Sequence, residues 1–113
     1  MPKFPSDVAF TPAVKAGQVR RGSRDMYARV ESGRGWQTTV TPPLAGCLSG
    51  LDMFYLGTAT ADGQPYIQYR GGPPGFLRVL DEHTLGFADF GGNKQYVTAG
   101  NLSENPNAFT FLM

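Results

Sequence analysis

The sequence contains few of the residues that build disulfides, metal centres and acid–base triads. Among its 113 residues there is one cysteine, Cys47, and one histidine, His83. A single cysteine excludes an internal disulfide and a cysteine-based metal cluster. We expect Cys47, in an apolar-leaning stretch, to be a buried inert thiol. His83 lies in a polar segment and is expected to be a surface turn residue, so no metal ligand is assigned.

Long apolar runs and a strong net charge are also absent. No stretch is long enough to span a bilayer. No apolar h-region follows the first residues, so a cytoplasmic protein is expected. The net charge is +1, which gives no general reason to expect nucleic-acid or membrane binding. Residues 1–34 carry seven Lys and Arg against three acids, and this basic end is interpreted as a solvated helix face.

Glycine, proline and aromatic residues are plentiful. The chain has 15 Gly and 9 Pro, together with 8 Phe, 5 Tyr and 1 Trp. That glycine and proline content is high for a helical bundle but below the level typical of disorder. The aromatic residues indicate a packed core. A chain of this length has room for one domain with a modest core.

Helix signals are concentrated in the first half of the chain. Thr11 and Pro12 form a suitable helix start, with Thr as N-cap and Pro at the first helical position. The more secure helical part is 23–31, and Pro42-Pro43 opens a second short helix over 43–50. Residues 1–50 are therefore expected to be a helical leader that packs on the remaining domain.

Residues 51–113 alternate in a way that is typical of strands. Five strands are expected in one antiparallel-rich sheet, at 53–60, 64–71, 76–81, 84–90 and 107–113. Asp62-Gly63 between the first two runs is a strong hairpin signal. The fifth strand is apolar up to Met113 and would leave an exposed sheet edge. We therefore expect that the natural domain continues or that a partner covers this edge.

A helix is expected over 93–104, between the last two strands. Asn93 is its predicted N-cap, and Asn105-Pro106 ends it. Tyr96, Val97 and Leu102 are predicted to face inward.

The start of this predicted helix has the features of an anion site. Residues 91–95 read Gly-Gly-Asn-Lys-Gln, and unpaired N–H groups at a helix start favour negative charge. Residues 52–113 contain only three cations, Arg70, Arg78 and Lys94, against six carboxylates. The sequence therefore predicts a small β-barrel that binds a phosphate-bearing cofactor.

Three segments together resemble a known family. They are residues 55–66, YLGTATADGQPY; residues 68–76, QYRGGPPGF; and residues 85–95, LGFADFGGNKQ. This order is similar to that of the predicted flavin-nucleotide-binding proteins related to pyridoxamine 5′-phosphate oxidase, the FMN-binding split-barrel family. The oxidase shows Ser-Arg-Lys where this chain has Gly92-Asn93-Lys94, and its substrate-phosphate segment has no counterpart here.

The resemblance implies an α+β fold, mainly β with helices, in which 51–113 is a split β-barrel core truncated at its C-terminus. It implies FMN as cofactor, with a deazaflavin or haem as alternatives. The residues that it implies for cofactor binding are Gln68, Tyr69, Arg70, Gly71, Arg78, Gly92, Asn93, Lys94 and Gln95. Lys94, Asn93 and Arg70 would contact the phosphate, whereas Gln68, Tyr69 and Gly71 would line the isoalloxazine edge mainly through backbone groups.

The expected function is that of a flavin-binding redox enzyme acting on an unknown small molecule. The alternatives are a non-catalytic flavin or haem binder or carrier and an incomplete, cofactor-free domain. No catalytic residue is assigned, because a flavin can carry the redox chemistry itself. The resemblance also implies a homodimer with the cofactor at the subunit interface.

Overall fold

The computed structural model describes residues 4–88 and 95–112. They fall into two compact units, Met1–Thr39 and Val40–Met113. The described residues have an α+β fold with four α-helices and two small antiparallel sheets. The α+β class that the sequence predicts is therefore confirmed.

The first unit contains a short 3-10 helix, Pro5–Val8, followed by α1 (Pro12–Arg21) and α2 (Arg24–Ser32). The predicted start of α1 is confirmed, because the Thr11 hydroxyl accepts a hydrogen bond of 3.3 Å from the Val14 N–H. Gly22 separates the two helices in the left-handed conformation, with φ of +83°.

Aromatic and ionic contacts hold this first unit together. The Phe10 ring lies 5.5 Å from the rings of both Tyr27 and Trp36, centroid to centroid, in edge-on geometry. On α2, the buried carboxylate of Glu31 forms ion pairs with Arg24 and with Lys15, the latter at 3.4 Å. A buried carboxylate is stable only when it is paired in this way.

Within residues 40–88 and 95–112, the second unit contains one helix, four strands, a further helix and a last strand. In chain order these elements are α3 (Pro42–Leu48), β1 (Met53–Ala59), β2 (Pro65–Gly71), β3 (Arg78–Asp81), β4 (Thr84–Gly86), α4 (Val97–Glu104) and β5 (Phe109–Leu112). The predicted hairpin is confirmed: β1 and β2 pair antiparallel across a turn in which Gly63 has φ of +93° and donates to the Thr60 carbonyl at 3.0 Å.

The prediction of a single five-stranded sheet is wrong for the described residues. One sheet has the order β2-β1-β5, and a separate sheet pairs β3 with β4. The loop after β2 accounts for the separation. Gly72 donates to the Asp52 carbonyl at 3.0 Å and Gly75 donates to the Leu51 carbonyl at 2.9 Å, so this loop binds the segment before β1 instead of continuing as a strand beside β2.

The helix before β5 begins later than predicted. Gln95 and Tyr96 lie outside the helix, which starts at Val97. Tyr96 precedes it in the left-handed region, with φ of +56°, a conformation that costs energy for a residue with a bulky side chain. The prediction of Asn93 as N-cap of this helix is therefore wrong, although Asn93 itself lies outside the described residues.

A small apolar core lies between the three-stranded sheet and α3. Its buried members are Leu48, Phe54, Leu56 and Leu77. Phe54 is fully buried, and its ring lies 5.6 Å from the ring of Phe76 and 5.1 Å from that of Phe87. Such aromatic pairs stabilise a core beyond the area they bury.

Among the described residues, no helix combines the length and the apolar character needed to cross a bilayer.

Candidate functional site

Helix α4 and the residue after it form three hydrogen bonds with the three-stranded sheet and with the turn after β1, and we call these three bonds the polar seam. The Thr98 hydroxyl donates to Gln68 Oε1 at 2.7 Å, Asn101 Nδ2 donates to Thr58 Oγ1 at 3.0 Å, and Asn105 Nδ2 donates to the Thr60 carbonyl at 3.1 Å. Thr98, Asn101 and Thr58 are all buried. These bonds fix the position of α4 along its own axis on the sheet, because sliding the helix would separate each donor from its acceptor.

The inward side of α4 is therefore not the one predicted from the sequence. Tyr96 is 63% exposed and Leu102 is 39% exposed, so the prediction that both face inward is wrong. The polar side chains Thr98 and Asn101 face the sheet instead. Residues 98, 101 and 105 follow helical spacing on one side of α4, and this polar stripe is the signal in the sequence that could have identified the seam.

Gln68 and Arg70 lie on the same side of β2 as the seam. Strand alternation and register put them beside Leu56 and Phe54 of β1, respectively. We call this side of the sheet the inner face. The Arg70 guanidinium carbon lies 5.9 Å from the Phe87 ring centroid, within the range of a cation–π contact. The structure thus brings two of the predicted cofactor-binding side chains together beside the start of α4.

Tyr69 points to the opposite side of the sheet and is 57% exposed. Its ring also takes the space next to Gly71: a Cβ added at Gly71 would lie 2.6 Å from the Tyr69 hydroxyl oxygen. Similarly, a Cβ added at Gly72 would lie 2.8 Å from the Phe76 ring. These two glycines make room for aromatic rings of their own chain.

Arg78 lies in the second sheet, away from the inner face. It lines an open cavity of about 450 Å³ together with residues of α3, of the loop before β3 and of β3 itself, among them Leu48, Leu77 and Val79. Arg78 therefore belongs to a different sheet from Gln68 and Arg70 and has different neighbours.

The remaining four predicted cofactor-binding residues precede α4 in the chain. Gly92, Asn93 and Lys94 lie outside the described residues. Gln95 is the first described residue after them and is exposed. In the chain, only Tyr96 separates the predicted phosphate segment, residues 91–95, from the first residue of α4.

The titratable groups of the described residues were also compared with the requirements of a metal site. No group of three or more His, Cys, Asp or Glu side chains in residues 4–88 and 95–112 could hold a metal ion. His83 is exposed in the β3–β4 turn, as predicted. Its backbone N–H donates to Asp81 Oδ1 at 2.8 Å and, with a hydrogen bond from the Thr84 side chain, holds the pKa of Asp81 below its ordinary value.

The predicted burial of Cys47 is wrong. The thiol is exposed, because α3 turns Leu44 and Leu48 toward the core and Cys47 falls on the solvent side of that short helix.

Compared with protein-family models, with curated proteins and with solved structures, the chain matches none. What the split-barrel resemblance implies therefore rests on the three sequence segments.

Proposed function

We propose that this protein binds FMN and that its two small sheets are parts of a split β-barrel. The observation that carries the proposal is the hydrogen bond of 2.7 Å from Thr98 to Gln68. It holds the first turn of α4 beside Gln68 of β2. Arg70 lies two residues further along β2, on the same side of the strand. In the chain, the predicted phosphate segment, residues 91–95, precedes that turn, with only Tyr96 between them. A cation and a helix start near one another are the groups that favour a phosphate ester.

The inner face carries side chains with hydrogen-bond donors that can bind a flavin phosphate. Arg70 offers a planar fork of N–H donors, which binds phosphate oxygens in pairs. Gln68 accepts from Thr98 through its carbonyl oxygen, and its amide nitrogen has no hydrogen-bond partner within residues 4–88 and 95–112. In the proposal, Lys94 and Asn93 complete the phosphate contacts from the helix side.

When bound, FMN would supply the redox chemistry, and the chain would supply binding and orientation. In this proposal the protein is a cytoplasmic oxidoreductase that acts on a small molecule. A non-catalytic flavin or haem carrier is the second candidate. The described inner-face side chains of the three-stranded sheet include no carboxylate and no histidine that could act as acid or base. This favours neither candidate, because flavin redox chemistry does not need such a residue.

The first test is to purify the full chain and record its visible spectrum. Flavin bands support the proposal, and a haem Soret band supports the carrier candidate. If the protein is colourless, FMN and riboflavin are titrated separately into it by fluorescence quenching. Because riboflavin lacks the phosphate, we expect FMN to bind roughly ten- to a hundredfold more tightly. Equal affinities would overturn the phosphate site, and no binding of either would overturn the proposed function.

The second test uses the three cations of the second unit as one another's controls. Lys94→Ala and Arg70→Ala should each weaken FMN binding by about 1.5–3 kcal/mol, and their effects should be non-additive if both touch one phosphate. Arg78→Ala removes the same charge from the other sheet and should change FMN affinity less. An unchanged affinity in Lys94→Ala would mean that residues 91–95 do not bind the phosphate.

A further inference from the structure

One side of the three-stranded sheet carries a continuous set of exposed apolar side chains, which we call the outer face. Its two cross-strand rows are Tyr69–Tyr55–Phe111 and Ile67–Gly57–Phe109. Ile67, Tyr69, Phe109 and Phe111 are 65%, 57%, 73% and 58% exposed. This side is opposite to Gln68 and Arg70, so the proposed phosphate contacts do not explain it.

The exposed area matches one half of a stable protein–protein interface. Three of the four exposed side chains are aromatic, and an aromatic residue can bury about 150–250 Å². At the exposed fractions given above, these three leave on the order of 400 Å² of mostly apolar surface, and Ile67 adds to it. A standard interface buries about 800 Å² on each partner, of which a little more than half is apolar. Monomeric proteins rarely expose a contiguous apolar patch larger than a few hundred Å².

The charge of the outer face excludes several kinds of partner. None of its described residues is charged: the remaining members are Met53, Ala59, Pro65 and Gly71. A peripheral membrane surface has Lys or Arg around its apolar residues, and this face has neither. A strongly charged protein partner would likewise find no complementary group here.

The shape of the outer face is self-complementary. Tyr55 projects from the central strand, and Gly57, two residues further along the same side, leaves a notch between Ile67 and Phe109. The two positions are roughly 7 Å apart along the strand. A two-fold axis between them, in the plane of the interface, sets Tyr55 of each copy over Gly57 of the other. The same rotation sets Ile67 against Tyr69 and Phe109 against Phe111.

We propose that the outer face is the interface of a homodimer in which two copies of this sheet pack face to face as a β-sandwich. Packed sheets are about 10 Å apart and interleave alternate side chains, which is the geometry that these two rows provide. In an isologous interface, the same patch serves both partners. The dimer does not require the flavin of the proposed function. Its interface lies on the opposite side of the sheet from Gln68 and Arg70, so it differs from the homodimer that the split-barrel resemblance implies, which has the cofactor at the subunit interface.

The test measures the association of the flavin-free full chain by sedimentation velocity. We expect a dimer, and two substitutions should each raise its dissociation constant by about 30-fold or more, the effect of losing an interface hot spot. Ile67→Glu introduces a charge opposite Tyr69 of the second copy. Gly57→Val fills the notch, although the structure leaves space for a Cβ there, with the nearest atom 3.4 Å away.

Two controls distinguish the loss of this interface from an added surface charge and from unfolding of the chain. Leu80→Glu adds the same charge at a residue that is equally exposed, 65%, but lies on β3, and it should leave the dimer unchanged. Gly57→Val should not lower the stability of the isolated chain, because valine favours strands and glycine weakens them.

Three results would each overturn the proposal. The first is a chain that stays monomeric up to about 100 µM, a concentration at which even weak specific dimers form. The second is a dimer that either Ile67→Glu or Gly57→Val leaves intact while the variant remains folded by circular dichroism. The third is open-ended association, which would indicate pairing through the free edge of β5. Dimerisation without flavin binding would support this inference and still contradict the proposed function.

Discussion

Asn101 of α4 donates a hydrogen bond of 3.0 Å to the hydroxyl of Thr58 on β1, and both residues are buried. Removing one partner leaves the other buried and unsatisfied, which costs about 1–3 kcal/mol. We therefore expect Asn101→Ala to lower the free energy of unfolding of the second unit by that amount. Urea denaturation followed by circular dichroism measures the change.

A double-mutant cycle with Thr58→Val isolates the hydrogen bond itself. Because the two side chains are in contact, their coupling energy should be about 0.5–3 kcal/mol. Ser103→Ala is the matched control: Ser103 is an exposed residue of the same helix, and its hydroxyl donates to the Gly100 carbonyl within α4. A coupling energy near zero would contradict the role assigned to the polar seam.

Gly72→Ala tests whether the glycines after β2 are needed for packing. The new Cβ would lie 2.8 Å from the Phe76 ring, which stacks on the fully buried Phe54. Forcing this ring out of its position should destabilise the second unit by about 1–3 kcal/mol. Thermal unfolding measures the loss.

The control for this substitution is Gly46→Ala in helix α3. Gly46 is exposed, and a Cβ added there meets no atom within 4 Å. Alanine favours a helix over glycine by about 0.5–1 kcal/mol, so Gly46→Ala should be neutral or stabilising. Equal effects of the two substitutions would mean that the Phe76 contact is unimportant.

The buried carboxylate of Glu31 should be important for the stability of the first unit. Its side chain is 3% exposed and pairs with Arg24 and Lys15. Breaking a fully buried ion pair costs about 3–5 kcal/mol; since both cations here keep contact with water, we expect about 2 kcal/mol for Glu31→Gln. Trp36, the single tryptophan of the chain, belongs to this unit, so its fluorescence in urea reports the change.

A comparison pair lies in the β3–β4 turn. Glu82 and His83 approach to 3.9 Å, but both side chains are mostly exposed. Glu82→Gln should therefore change stability by less than about 1 kcal/mol. If Glu31→Gln were equally mild, the ion pairs of Glu31 would not stabilise the first unit.

The pKa of Asp81 should make the β3–β4 turn sensitive to acid. The His83 N–H and then the Thr84 side chain stabilise its carboxylate, which lowers the folded-state pKa below the ordinary 3.8. The stabilising effect of a group with a lowered pKa is complete above the unfolded pKa and disappears as the pH falls through the folded pKa. We expect an NMR titration of the carboxyl carbon to give a midpoint below 3.8, and Asp81→Asn to abolish the acid-dependent shifts of the turn amides. A midpoint at or above the ordinary value would contradict this prediction.

The sequence alone determined the features that depend on neighbouring residues. The cap of Thr11 on α1 and the Asp62-Gly63 turn of the first hairpin follow from local backbone chemistry, and both are present. Strand alternation also determined that Gln68 and Arg70 share one side of β2 while Tyr69 takes the other.

Only the tertiary structure decided which strands pair and which side of each element is buried. The loop containing Gly72 and Gly75 binds the segment before β1 and so divides the strands into two sheets. The burial of Thr98 and Asn101, in place of Tyr96 and Leu102, depends on partners about 30 to 43 residues away in the chain. Local propensity differs by only about 1 kcal/mol per residue. Long-range hydrogen bonds and packing are of equal or larger size, and therefore they determine the final arrangement.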